Sequence, residues 1–274
     1  MAVTMADISK LRKMTGAGMM DCKKALEETN NDIEAAIEII RKKGQAVAAK
    51  REDRDAAEGC TLAKSEGSFA AVLALKCETD FVAKNEGFVA LTQKLLDAAV
   101  AAKAKSIDEV NALVVDGKKV ADLVVEEIGK TGEKMEIGAY EFIEAPSTVA
   151  YNHFGNKLSA LVGFNLAEAD AHVAHEVAMQ VAAMNPLAVC REDVPADVVE
   201  KELEIGRDKA RQEGKPEAIL DRIAQGRLAK FYKENVLMEQ EFVSDATMDI
   251  ATYLKKSNAN LKAIALKRVN LNAD

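Results

Sequence analysis

GSFAAVLALKCETDFVAKNEGFVALTQKLL, Gly67–Leu96, changes its period halfway along and so decides the fold class. Up to Cys77 the side chains alternate: Val72, Ala74 and Lys76 on one face, Leu73, Leu75 and Cys77 on the other. That is a strand pattern. Ser65-Glu66-Gly67 separates it from Thr61–Lys64, which predicts a hairpin. Beyond Thr79-Asp80 the period is helical, with Phe88, Leu91, Leu95 and Leu96 on one face and Thr79 or Asp80 available as an N-cap. A further helix from about Lys118 to Ile128 and a strand over Met135–Ile143 complete a ββ-α-α-β unit.

The same plan returns downstream. Val149–His153 and Leu158–Leu166 predict a second hairpin around Gly155-Asn156, followed by a helix with Val173, Val177 and Val181 on one face. A helix over Met248–Lys256 and a strand over Leu261–Val269 close this half, so two related αβ halves are expected. Between them lies an excursion, Pro186 to Asn235. Val199, Leu203 and Ala210 form one stripe, Leu220, Ile223, Leu228 and Phe231 another, and Gly214-Lys215-Pro216 breaks them apart. Two helices so joined pack antiparallel, predicting a projecting helical hairpin.

Upstream, three short helices are expected. Ile8, Leu11 and Met14 mark the first, Met19, Cys22 and Leu26 the second, and Thr15-Gly16-Ala17-Gly18 separates them. Asn30-Asn31-Asp32 offers caps for a third, whose stripe is Ile33, Ala36, Ile37 and Ile40 and whose stop is Gly44. The predicted organisation is α+β: a three-helix bundle over 1–50, a linker over 51–60, one αβ subdomain over 61–145, a second over 146–185 and 236–274, and the helical hairpin over 186–235.

Composition narrows the function. Of 274 residues, 45 are acidic and 37 basic, giving a net charge of −8, with the two signs interleaved throughout. A nucleic-acid binder needs a concentrated basic face to neutralise phosphates, so that class is disfavoured. Cys22, Cys60, Cys77 and Cys190 form no CxxC pair, against a zinc framework. The first ten residues hold no apolar run of signal-peptide length, and no stretch approaches the ~20 apolar residues of a membrane span. A cytoplasmic protein with free thiols is expected.

Enzyme signatures are incomplete. Gly129-Lys130-Thr131 ends like a phosphate loop, but Val124 stands where the first glycine belongs. His172 and His175 share a helix face without further ligands, and reading them as surface residues outweighs a metal site. Cys77 reads as a small core residue before it reads as a nucleophile. Two segments keep two readings each. Phe81 and Val82 either staple a capped turn into the core or form an exposed apolar prong beside Asp80. Met19 and Met20 follow a flexible turn, and adjacent residues cannot both face one helix interior, so one is available to a partner.

LRKMTGAGMMDCKKAL (Leu11–Leu26) and ETDFVAKNEGF (Glu78–Phe88) closely resemble two signatures of the elongation factor Ts family, in the right order. The resemblance runs on through Tyr151-Asn152-His153, Val177-Ala178-Met179, Gly214-Lys215-Pro216 and Gly226-Arg227. It implies a ubiquitin-associated-like bundle, two related αβ core subdomains and a helical hairpin. It also implies a non-enzymatic guanine-nucleotide exchange factor that binds elongation factor Tu, GDP-bound or nucleotide-free, with no cofactor, nucleic acid or membrane of its own. By the same resemblance Thr79, Asp80, Phe81 and Val82 dislodge the partner's magnesium, with Asp80 and Phe81 as the intruding pair. His153 contacts the GTPase near its phosphate loop, and Arg12, Met19 and Met20 hold its nucleotide domain. Ile128-Gly129 lie beside the intruding turn, and Phe242-Val243 touch another domain of the GTPase. Many relatives add a C-terminal helical module past the last strand; here the chain ends at Asp274, soon after Leu261–Val269, which puts that contact in doubt. A homodimer through the hairpin, a helical-bundle adaptor or chaperone-like role, and an enzyme using Cys77 or the histidines are the rival expectations.

Overall fold

Thr4 opens the first helix with a reciprocal cap: its hydroxyl accepts from the Asp7 amide, and the Asp7 carboxylate accepts from the Thr4 amide. The computed structural model describes residues 2–272. Helices α1 (Met5–Thr15), α2 (Met19–Glu28) and α3 (Ile33–Lys50) enclose Ile8, Leu11, Cys22, Ala25, Leu26 and Ala36. Gly16, at φ +70°, ends α1, and Asp32 caps α3 by accepting from the Ala35 amide at 3.0 Å. The expected stop at Gly44 does not occur. The glycine is buried inside α3, where the helix runs so close to the later helix carrying Gly129 that a methyl on Gly129 would lie 2.9 Å from the Gly44 Cα. Met14, expected in the apolar stripe, is exposed.

Strands β1 (Glu58–Glu66) and β2 (Phe69–Cys77) turn at Gly67, φ +62°. The single helix expected after them is two. A one-turn α4 (Asp80–Ala83) is capped by Thr79, and α5 (Glu86–Ala102) restarts on Asn85, whose side chain accepts from the Gly87 amide at 2.8 Å. Next come α6 (Ile107–Ala112), the short strands β3 (Val114–Val115) and β4 (Lys118–Lys119), α7 (Val120–Thr131) and β5 (Met135–Glu144). Between β3 and β4, Asp116 and Gly117 both have positive φ, +52° and +78°, the conformation that an Asp-Gly hairpin turn favours. The sheet order is β1-β2-β5.

The second antiparallel sheet has the order β10-β7-β6, from β6 (Ser147–Asn152), β7 (Leu158–Phe164) and, after several helices, β10 (Ala263–Asn270). Val149 pairs with Val162 across the β6–β7 hairpin. Helix α8 (Ala171–Met184) lays Ala174, Val177, Ala178 and Val181 against Ala160, Val162 and Phe164. Helices α9 (Ala196–Gln212) and α10 (Leu220–Asn235) pack along each other, with Gly206 against Ala224. A small hairpin, β8 (Glu241–Phe242) and β9 (Asp245–Asp249), then leads into α11 (Ile250–Ser257).

The chain divides into two compact units. One gathers the described residues up to Leu62 with Leu73–Tyr140, Leu271 and Asn272; the other holds Ala63–Val72 and Glu141–Asn270. The bundle belongs to the same unit as α4–α7. The presumed linker is part of that packing: Ala56 is buried, Arg51 forks onto Glu78 with both contacts at 2.9 Å, and the Lys134 ammonium donates to the Glu52 carbonyl at 2.8 Å.

Candidate partner-binding site

Asp80 and Phe81 sit on α4, a turn too short to hold itself. Fixing one turn of helix costs backbone entropy that few hydrogen bonds repay, so its shape depends on tertiary ties. Glu133 supplies three of them. Its carboxylate accepts from the Glu78 amide at 3.1 Å, the Thr79 amide at 3.0 Å and the Thr79 hydroxyl at 2.6 Å. The Thr79 hydroxyl oxygen in turn accepts from the Val82 amide at 3.4 Å. Ala83 anchors the turn by burial, and the Cys77 thiol donates to the Thr79 carbonyl at 3.3 Å.

Phe81 therefore points outward, 85% exposed. The core-staple reading does not describe it; Ala83 and Phe88 are the buried residues of this segment. Beside it the Lys84 ammonium, 2.7 Å from Asp80, holds the Asp80 carboxyl below the usual carboxylate range, and Asp80 raises Lys84 in return. Asp80 is thus charged at neutral pH. One residue earlier, Glu78 accepts from the Lys134 amide at 2.7 Å and binds Arg51; both depress its pKa, the amide most.

The bundle contributes Arg12, Met19 and Met20, all exposed. The other half of the α2 stripe, Cys22 and Leu26, is core, so both methionines are left to solvent. Ile128 is buried at 5% exposure, and Gly129 faces Gly44 of α3. Ile128 is packed into its own unit rather than presented to a partner.

In the second unit, His153 is exposed at the end of β6. Its Nδ1 lies 2.9 Å from the Tyr151 hydroxyl, and its amide donates to the Leu158 carbonyl at 2.9 Å. The turn that follows carries Phe154, 97% exposed, and needs left-handed backbone at Gly155 (φ +86°) and Asn156 (φ +54°). Sequence reasoning passed over Phe154; an aromatic residue directly before a Gly-Asn hairpin turn was the available signal. Glu133 was also missed, and it left no signal, since its role exists only once residues 54 apart meet. Phe242 is buried and stacked on Tyr253 at 4.2 Å, whereas Val243 is exposed, its amide held by the buried Gln180 at 3.0 Å.

Among the described residues no group of acidic, histidine or cysteine side chains could hold a metal. Cys77 is fully buried, His172 and His175 are exposed, and Gly129-Lys130-Thr131 is the last turn of α7 rather than a loop. No helix among the described residues is long and apolar enough to cross a membrane.

Phe81 and Phe154 are thus apolar side chains held out in water on short turns. A family model described as Elongation factor TS matches residues 78–272. Along the whole of both chains, this one is 56% identical to Elongation factor Ts of Porphyromonas gingivalis, 51% to that of Azobacteroides pseudotrichonymphae and 48% to that of Amoebophilus asiaticus. The chain belongs to the elongation factor Ts family and is a translation elongation factor.

Proposed function

We propose that this chain is the guanine-nucleotide exchange factor for elongation factor Tu: it binds the GDP-bound GTPase, promotes release of GDP, and gives way when GTP rebinds. In this reading it turns over no substrate and needs no cofactor, because the magnesium it disturbs belongs to the partner. It works where the GTPase works, in the cytoplasm. Residues 1–50 act as a ubiquitin-associated-like bundle that holds the nucleotide domain through Arg12, Met19 and Met20, while Thr79–Val82 and His153 reach toward the magnesium and phosphate site. Val243 is the outward member of the remaining contact.

The observation that carries the reading is the exposed Phe81 beside a charged Asp80 on a turn clamped by Glu133. GDP is held on a GTPase largely through its phosphates and a bridging Mg²⁺. A factor releases it by binding better to a GTPase conformation in which those contacts are poor. Burying a phenylalanine supplies about 1.5–3 kcal/mol, enough to offset roughly a tenfold to hundredfold loss of nucleotide affinity. Because the ring is already held outward, little ordering cost is subtracted on binding. Asp80 adds a carboxylate able to compete for groups around the metal.

Stopped-flow release of a fluorescent GDP analogue from elongation factor Tu tests this. Catalytic amounts of the protein should accelerate release many-fold. An unchanged release rate at saturating protein rejects the function.

A further inference from the structure

Helices α3 and α7 cross in contact at two glycines. A methyl group on Gly129 would lie 2.9 Å from the Gly44 Cα, and one on Gly44 would lie 3.4 Å from the Val125 carbonyl oxygen and 3.6 Å from the Gly129 Cα. Backbone atoms cannot yield to a side chain as a flexible lysine can. Neither glycine needs an unusual backbone angle, since both lie inside helices, where glycine is unfavourable relative to alanine. Their shared feature is therefore the close approach.

The rest of that seam includes a void. A cavity of about 270 Å³ lies along it, walled by Met14, Ala17, Ile37 and Ile40 and bordered by the two glycines. Elsewhere it has the Lys130 stem across Gly16 and a long Arg41–Asp122 contact at 3.9 Å between exposed groups. The glycine crossing is thus the point of closest approach between the bundle and α7. From α7 the path to Phe81 is short: the helix ends at Gly132, and the next residue is Glu133, the clamp on Thr79. The far end of α3 reaches the same turn, through Arg51 on Glu78.

We propose that Gly44 and Gly129 are positioning residues: their crossing sets the bundle's exposed Met19 and Met20 at a fixed spacing from the Phe81 prong, so that one GTPase meets both at once. This rests on the exchange-factor reading above. It also assigns Gly129 a role inside the chain, as the seat of α3.

The test pairs Gly129→Ala with Gly44→Val in the full chain, and Gly44→Ala serves as a milder step should valine prevent folding. Release of labelled GDP from elongation factor Tu is followed against factor concentration, and amide hydrogen exchange is followed on the free protein. The half-saturating concentration should rise about tenfold or more, within the ~10²–10⁴ that coupling of two contacts can contribute. The release rate at saturation should stay, and amides of α3 and α7 at the crossing should lose protection. Three results overturn the proposal: wild-type half-saturation in Gly129→Ala, a lowered saturating rate with unchanged half-saturation, or unchanged protection in the free Gly129→Ala protein. A wild-type protein that fails to accelerate release at all instead removes the exchange-factor reading. The hydrogen-exchange arm needs no partner and still decides whether the crossing holds the bundle.

Discussion

Phe81 and its clamp separate what holds the site from what the site does. Phe81→Ala removes a ring that touches little of its own protein, so the melting temperature should stay within about 1 °C while GDP release at a fixed subsaturating concentration slows roughly tenfold or more. Wild-type release by a folded variant would end the prong's role. Glu133→Ala acts in the opposite order. Three donors lose a charged acceptor, worth about 1.5–3 kcal/mol for a hydrogen bond to a charged group, so thermal unfolding should come earlier and release should slow because Phe81 is no longer held; Glu133→Gln should recover part of both. Glu78 gives the site a pH limb. Its pKa lies below the ordinary value of 4.5 in the fold, so the stability it contributes is present in full above that range. It is lost as the pH falls through the depressed value. A plot of melting temperature against pH should therefore drop below about pH 4.5, and Glu78→Gln should flatten that limb; identical acid limbs would mean that Glu78 is not its source.

At the scale of elements, packing decides the sign of the same substitution. Gly206 in α9 lies against Ala224, where a methyl would sit 3.0 Å from the Ala224 Cα, while Gly226 in α10 has open space around it. Alanine at Gly226 should stabilise by up to about 1 kcal/mol through helix propensity. At Gly206 it should destabilise by about 1–3 kcal/mol, as overpacking does. Differential scanning calorimetry of the two variants should show melting shifts of opposite sign, and shifts of equal sign would deny the tight α9–α10 seam. The same contrast explains what was legible beforehand. Both hairpins, most of the helix stripes and the caps at Asp32 and Thr79 are local, written within a few residues, and they appear in the structure, although Met14 and Met19 of the stripes are exposed. Asp116-Gly117 was equally local and was simply passed over. Gly44 was misread as a helix end because its reason lies on α7, some 85 residues away. The stretch after Lys50 looked like a linker because Arg51 and Glu52 find their partners only in the folded unit. In the candidate site, Thr79–Val82 could be singled out from the chain, but the direction of the Phe81 ring could not, since Glu133 sets it.

For the molecule as a whole, exchange is a question of which contacts discriminate between two states of the partner. Linkage requires that whatever factor binding removes from GDP affinity, GDP removes from factor affinity. A contact formed equally with the GDP-bound and nucleotide-free GTPase tightens the complex without contributing to that coupling, as uniform binding does in catalysis. Arg12, Met19 and Met20 belong to the bundle, whose tie to the Phe81 turn runs through backbone and buried links, whereas Phe81 and Asp80 are the residues assigned to the metal and phosphates. Two kinds of variant should therefore behave differently in titration calorimetry with elongation factor Tu, with and without GDP. Met19→Ala/Met20→Ala should weaken binding to both forms by a similar factor, about tenfold or more, leaving their ratio near the wild-type value. Phe81→Ala should weaken binding to the nucleotide-free form more than to the GDP form, shrinking the ratio. If the methionine variant shrinks the ratio as much as Phe81→Ala does, the bundle takes part in the discrimination itself, and the division between holding and prying fails.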